Sequence, residues 1–260
     1  MFLKMVKHEF HASFRALIFV FGGLLAMALL TRASIWLMQT TNGATPASMF
    51  GIMMIFLFVL ACIACIVLTM VLMMVRFAKS VHGDEGYLTN TLPVGIHSII
   101  LSRLLVAFVA VLCAVVSVYL GYKVVTFEIK SMQDLGSTFE MAFSANGVET
   151  TKLLIESVIV GVIGILTSIL MTFAAVSIGH SFAGKKAGMS VLFYFVLYFG
   201  MQMANTFVMV AMIGINLANG SSRLDPTDGM MIVSGVESLL FGGLFYFLTW
   251  IMMKKHLNLS

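Results

Sequence analysis

A glycine- and lysine-containing segment of this chain comes close to a phosphate-binding loop. Its sequence is Gly179-His-Ser-Phe-Ala-Gly184-Lys185-Lys186. In a true loop of this kind, backbone N–H groups hold phosphate and a final Ser or Thr hydroxyl binds magnesium. Lys186 takes the place of that hydroxyl, and the segment follows a long apolar run, not a strand. We therefore predict a basic turn here and no nucleotide site in the chain.

Two further motifs approach metal or redox chemistry. His8 and His11 flank a glutamate in the sequence His-Glu-Phe-His, but zinc ligands on one helix face need i, i+4 spacing. Cys62 and Cys65 form a C-x-x-C pair inside an apolar run, where a thiolate is disfavoured. We predict neither a metal site nor a disulfide, and expect the two cysteines to act as small packing residues.

Three charged residues lie within or close to apolar runs: Arg32, Glu156 and Glu237. A charge at the centre of a membrane-spanning helix costs about 2.5–3.5 kcal/mol on insertion scales, so each needs a reason. One interpretation is that the side chains reach towards the membrane surface and pair locally. The other is that the three residues meet near the outer leaflet and close the outer end of a pathway.

A row of semi-polar residues follows one face of a later apolar run, at steps of three or four residues. This spacing places side chains on one side of a helix. The face would line a substrate pathway, form a seam with a second copy of the chain, or pack against another helix. Its residues are Tyr194, Tyr198, Gln202, Asn205 and Met209.

The segment 76–103 is a polar stretch between two apolar runs. Asp84 and Glu85 are suited to the first turn of a short helix, because carboxylates satisfy its free N–H groups and its dipole. Pro93 would end this helix. Acidic residues are poor partners for an anionic inner leaflet, so we interpret the segment as a docking surface for a soluble protein. The face that would contact the partner comprises Tyr87, Leu88, Thr91 and Leu92.

The composition explains what must position these residues. Hydrophobic residues make up 60% of the 260 residues and charged residues 10%, whereas soluble domains have about 45–50% and about 25%. About 20 apolar residues are enough for a helix to cross a bilayer. We predict an all-α polytopic membrane protein with an N-terminal amphipathic helix, short cytoplasmic coupling helices and one domain over 1–260. The amphipathic helix covers 1–15, and a six-helix bundle covers 16–253. The predicted transmembrane helices are 16–38, 49–75, 104–126, 153–179, 189–216 and 231–253.

Lysine and arginine residues favour one orientation in the membrane. With both termini on the same side, that side holds ten of the 15 Lys and Arg residues and the other side holds five. Positive residues concentrate on the cytoplasmic side, so both termini are predicted to be cytoplasmic. The basic excess thus reflects membrane orientation and does not indicate a nucleic-acid partner.

The segment 76–103 resembles a known family. The elements Arg76-Phe77, Gly83-Asp-Glu-Gly-Tyr-Leu-Thr89, Thr91-Leu-Pro-Val94 and Ile100-Leu-Ser-Arg103 are similar to permease subunits of ABC exporters of the drug- and peptide-exporting (type V) class. Within that class they resemble phenol-soluble modulin exporter permeases of Gram-positive bacteria. The loop at about 217–230 departs from the class, because it is short for the re-entrant hairpin that some members have.

The resemblance implies a transport complex in a bacterial plasma membrane. Two permease copies would form the pathway, and two cytoplasmic ABC ATPase subunits would bind ATP and Mg, so this chain itself would need no cofactor and would not be an enzyme. The substrates would be amphipathic or hydrophobic peptides of the toxin or antimicrobial type. ATPase movement would act on the 83–92 helix, on Lys185 and Lys186, and on the N-terminal helix.

Two other functions remain open on the sequence alone. A secondary transporter driven by an ion gradient would have carboxylates near the membrane midplane and broken helices. A non-transporting scaffold or sensor subunit would bind no ATPase. An adjacent gene encoding an intact phosphate-binding loop would favour the exporter over both.

Overall fold

The structure is a computed structural model that describes residues 2–41, 45–82, 95–126, 150–182, 186–218 and 226–255. Within these ranges the chain forms six α-helices and no strand. In chain order they are α1 (Phe2–Thr40), α2 (Thr45–His82), α3 (Ile96–Thr126), α4 (Thr150–His180), α5 (Lys186–Ala218) and α6 (Pro226–Lys255).

All six helices have the length and apolar character needed to cross a membrane. Their apolar segments run from 24 to 35 residues. At 1.5 Å per residue even the shortest is about 36 Å long, more than the roughly 30 Å of a hydrocarbon core. The prediction of an all-α chain with six such helices is therefore confirmed. The short coupling helix predicted after Gly83 lies outside the described residues.

The N-terminal segment continues directly into the first long helix. α1 runs without interruption from Phe2 to Thr40, so the predicted amphipathic segment and the first apolar segment form one helix. Lys7 and Arg15 are exposed, whereas Ser13 and Leu17 are buried on another side of the helix. The amphipathic character predicted for 1–15 stays a prediction, since the side chains of residues 1–5 lie outside the described part of the chain.

The described helices contribute to two compact units. The first comprises Met1–Met73 and Leu105–Gly147, and its core joins residues of α1, α2 and α3. Thr31 is fully buried and donates a hydrogen bond to Met54 O of α2 at 3.3 Å. Gly121 of α3 lies so near the Phe58 ring that an added Cβ would approach it to 3.3 Å. The core residues are Leu24, Ala28, Ile35, Phe58, Cys65, Ala114 and Val125.

The second unit comprises Met74–Leu104 and Val148–Ser260, and α4 is its central helix. Residues 169–177 of α4 are all buried, and α4 packs against both α5 and α6. Thr167 of α4 donates a hydrogen bond to Ser238 O of α6 at 2.8 Å, where Gly242 allows close approach. By contrast α5 and α6 contact each other sparsely. α4 therefore holds the two later helices together.

Candidate functional site

A groove opens between α5 and α6 because the two helices pack on α4 more than on each other. Met212 of α5 contacts α6 near Gly229, where an added Cβ would lie 3.6 Å from the methionine methyl group. The groove has a volume of about 240 Å³. We call it the α5–α6 groove; its lining residues are Asn205, Val208, Met209, Met212, Met231, Val233, Ser234 and Glu237.

Of the lining residues that the structure describes, Glu237 is the only ionisable one in the α5–α6 groove. Its Oε1 atom is buried and accepts no hydrogen bond from the residues that the structure describes. The Ser234 hydroxyl, one turn earlier, donates to Met231 O at 2.9 Å. A carboxylate among methionine and valine side chains loses solvation that no neighbouring donor replaces. The groove thus combines a wall of flexible apolar side chains with one carboxylate that can accept hydrogen bonds.

The structure divides the semi-polar stripe of α5 into two parts. Asn205 and Met209 line the α5–α6 groove. Tyr194 instead packs against the core of the second unit, and its ring stacks on Tyr198 with centroids 6.4 Å apart. Gln202, between the two parts, is exposed. Of the five stripe residues, only Asn205 and Met209 line this groove, and the role of the stripe as a pathway or as a seam with a second copy stays a prediction.

The three residues predicted to form an outer gate lie in different surroundings. Glu237 lines the α5–α6 groove, and Glu156 lines a second groove of about 220 Å³ between α4 and α6. Met231 of α6 lines both grooves. Arg32 is half-buried in the first unit. The convergence of all three residues stays a prediction.

Most residues predicted to couple to an ATPase lie outside the described part of the chain. These are Asp84, Glu85, Tyr87, Leu88, Thr91, Leu92 and Lys185. Lys186 is the first residue of α5. The structure does describe the helices that flank 83–94, since α2 ends at His82 and α3 begins at Ile96. The structure therefore describes the two helix ends that flank the predicted coupling surface.

The buried side chain of Arg103 connects the start of α3 to the end of α2. Arg103 of α3 is 6% exposed, and its Nη2 donates a hydrogen bond to Ser80 O of α2 at 2.9 Å. Ser80 is in the last turn of α2, where carbonyl groups lack intrahelical donors and a cation is favoured by the helix dipole. Arg103 thus caps α2 from the neighbouring helix.

The same contact continues into α4. The Arg103 guanidinium carbon lies 5.9 Å from the centroid of the Phe77 ring. Phe77 in turn stacks on Phe173 of α4, with centroids 4.1 Å apart and ring planes 8° from parallel. Both phenylalanines are almost completely buried. We call Arg103, Ser80, Phe77 and Phe173 the Arg103 joint; it attaches the helix ends beside 83–94 to the central helix of the second unit.

Sequence reasoning missed the Arg103 joint and half of the groove. The sequence analysis used Arg103 as a cytoplasmic positive charge and as part of a family-like motif, but did not ask for the hydrogen-bond acceptor that a buried arginine needs. On α6 the apolar residues mask any stripe, but Ser234 and Glu237 are three residues apart and share a face. That spacing was the available signal for the α6 wall.

An aromatic and basic cluster joins the first turn of α3 to the last turns of α6. His97 Nδ1 lies 2.6 Å from Tyr246 Oη, and the His97 ring stacks on Trp250 with centroids 5.8 Å apart. Lys254 Nζ lies 5.0 Å from the centre of the Trp250 ring. Aromatic and basic side chains together are typical of a membrane–water interface. The cluster is consistent with both helices reaching the bilayer surface at these ends.

The near-miss motifs have packing roles where the structure describes them. Gly179 lies against Ser190 of α5 and leaves no room for a Cβ, so it brings α4 and α5 together. Cys65 belongs to the core of the first unit, and Cys62 packs beside it with a free thiol. Among the described residues, no three His, Cys, Asp or Glu side chains cluster as a metal site would require.

These features define the class of the protein as far as the fold allows: an all-α chain with six helices of membrane-spanning character, compatible with a multi-pass membrane protein. Comparison with known proteins adds no relative. No protein-family model matches the sequence, and no curated protein or solved structure is similar to it.

Proposed function

We propose that this chain is the transmembrane subunit of an ATP-driven exporter of amphipathic or hydrophobic peptides. The observation that carries the proposal is the Arg103 joint. Residues 83–94 connect α2 to α3. Arg103 of α3 holds the last turns of α2 through Ser80 and Phe77, and Phe77 stacks on Phe173 of α4. A force applied to this loop by a soluble partner would reach α4 through buried, stacked side chains.

α4 in turn contacts both walls of the α5–α6 groove. It packs on α5 and on α6, and Thr167 binds the α6 backbone directly. Movement of α4 would therefore change the width of a groove that offers apolar and polar contacts. This arrangement supports the proposal that the loop 83–94 controls the α5–α6 groove as a substrate site. The ATPase partner, the second permease copy, the plasma-membrane location and the cytoplasmic termini are parts of the proposal.

The proposal is tested by co-purification from native membranes. The tagged full chain should bring down a subunit with an intact phosphate-binding loop and ATP hydrolysis activity. The double variant Asp84→Lys with Tyr87→Ala should lose that subunit, because an interface hot spot contributes at least about 2 kcal/mol, roughly 30-fold in Kd. The matched control is Asp134→Lys with Phe139→Ala, in the loop predicted on the opposite side.

Two outcomes would contradict the exporter. One is a chain that purifies without any ATPase, and the other is a double variant that binds and stimulates the ATPase as the wild type does. Loss of the ATPase in the control variant as well would point to general damage and would remove the assignment of the 83–92 segment.

A second candidate, a transporter driven by an ion gradient, is favoured by one observation. The buried Glu237 Oε1 within a membrane-spanning segment is the type of group that carries a proton or binds a cation during transport. Reconstituted vesicles distinguish the two functions. An exporter accumulates substrate when ATP is supplied to the reconstituted complex, whereas a gradient-driven transporter does so with the chain alone and a proton or sodium gradient.

A further inference from the structure

We propose that the α5–α6 groove binds the cationic group of an amphipathic ligand, with Glu237 as its counter-ion and the methionines as the wall for the adjoining apolar segment. The inference rests on the proposed function for the fate of the ligand, but binding itself requires only this chain. It assigns a charge to the substrate class, which the sequence left open.

Charge is the first argument. Among the described residues, no Lys, Arg or His lines the groove, so none of them gives Glu237 a cationic partner there. Its Oε1 is buried and accepts no hydrogen bond within the described residues. Glu156 is a useful contrast, because it is engaged in an interaction inside the chain although it also lines a groove on α6. The Oε1 atom of Glu237 can therefore receive a donor from outside the chain.

The wall of the groove is the second argument. Met209, Met212 and Met231 surround the site. Methionine side chains are flexible and polarizable, so they adapt to apolar groups of different shape. An uncharged acyl chain would pack against the methionines but would leave the Glu237 carboxylate without a partner. A metal ion would require several ligands, and no such cluster exists among the described residues. A cation attached to an apolar segment satisfies both parts of the groove.

Volume limits the size of what binds. At about 240 Å³ the groove is smaller than the roughly 300–1,000 Å³ of sites that enclose a drug-sized molecule. It therefore holds a cationic head with a short apolar segment, such as one lysine side chain or the amino terminus of an amphipathic peptide, and not the whole peptide. Asn205, at the exposed edge, provides an amide for the adjoining backbone.

The test is direct binding to the purified full chain in nanodiscs of zwitterionic lipid, without ATPase or ATP. The probes are hexylammonium, which carries N–H donors like a lysine side chain, and heptanoate, which has the same six-carbon apolar chain and the opposite charge. Calorimetric titration should show saturable binding of the cation and none of the anion. Glu237→Gln should weaken binding of the cation by about tenfold or more, because it removes a charge-assisted contact. Glu156→Gln, the matched control, should bind as the wild type does.

Two tryptophan variants test the site by blocking the groove, without changing the charge of Glu237. Met209→Trp fills the groove and should abolish binding of hexylammonium. Phe207→Trp, at a position of α5 that is 77% exposed, should leave it unchanged. Elution volume and thermal unfolding without ligand show that each variant is folded.

The inference is overturned if the two probes bind equally, or if Glu237→Gln or Met209→Trp binds the cation as the wild type does. It is also overturned if only uncharged alkyl probes bind. These outcomes are separate from those of the co-purification experiment. If the chain binds the cation but purifies without an ATPase, the binding site is supported and the exporter is rejected. If the chain purifies with an ATPase but does not bind the cation, the exporter is supported and the binding site is rejected.

Discussion

Arg103 is the residue on which the proposed coupling depends most. Its side chain is buried, charged and directed at a helix C-terminus, and such a contact exists only where the acceptor is held in place. The sequence places Arg103 at the start of an apolar run, where a snorkelling cation is the ordinary expectation. Its partner, Ser80 O, is a backbone atom 23 residues away, which no residue-type pattern identifies.

We predict that Arg103→Met lowers the free energy of unfolding by about 1.5–3 kcal/mol, since it removes a hydrogen bond from a charged donor to a buried carbonyl group. Arg103→Lys should recover part of this loss, because lysine keeps the charge but not the planar fork. Thermal unfolding of the purified chain measures both. Lys79→Met, at an exposed position in the last turn of α2, the helix end that Arg103 caps, is the control and should change stability little. Equal stability of Arg103→Met and Lys79→Met would contradict the capping role.

At the scale of elements, one glycine sets the distance between α4 and α5. Gly179 was noticed in the sequence because of its place in a near-miss phosphate loop, yet in the structure it lies in the last turn of α4 against Ser190. Ser190 is also almost completely buried, as expected for a small residue at a close helix crossing. The motif thus has a packing explanation where the structure describes it.

We predict that Gly179→Ala destabilises the chain, because even one methyl group would overlap the backbone of Ser190 and force α5 away from α4. Overpacking of this kind costs about 1–3 kcal/mol. Gly164→Ala on the same helix is the control, since nothing lies within 4 Å of its added Cβ. There the change should be neutral or stabilising, because alanine favours the helix by about 0.5–1 kcal/mol. Thermal unfolding of the two variants side by side tests the difference, and a similar response would refute the close crossing.

The helices could be predicted from the sequence and the contacts between them could not. Each apolar run is long enough to require a helix in lipid, where backbone groups must bond within their own segment. In a run such as 231–253, Ser234 and Glu237 mark the groove face, but apolar residues cover the rest of the helix, so its periodicity does not show which face meets α4. Two contacts illustrate this: Thr167 donates to Ser238 O, and Phe77 stacks on Phe173. Both join residues far apart in the sequence and depend on how the helix surfaces fit together. Glu237 could be recognised as unusual, but its groove became visible only with α5 beside α6.

At the scale of the whole molecule, the orientation in the membrane decides whether the coupling proposal can hold. If all six helices cross the membrane, both termini lie on one side, together with 83–94 and 183–185. That side would hold ten of the 15 Lys and Arg residues. The positive-inside rule then predicts that it is the cytoplasmic side, where a soluble ATPase would be found.

We predict that single cysteines on the two sides react differently with a membrane-impermeant maleimide added to intact cells. Asn42→Cys, Ser137→Cys and Ser222→Cys should be labelled, whereas Thr89→Cys, Ala183→Cys and Asn258→Cys should react only after the membrane is permeabilised. The native thiols at Cys62, Cys65 and Cys113 lie within apolar segments, so a variant with serine at all three provides the unlabelled background. Labelling of Thr89→Cys from outside would invert the topology and place the proposed docking surface away from any ATPase. A mixture of both patterns would instead show fewer than six crossings.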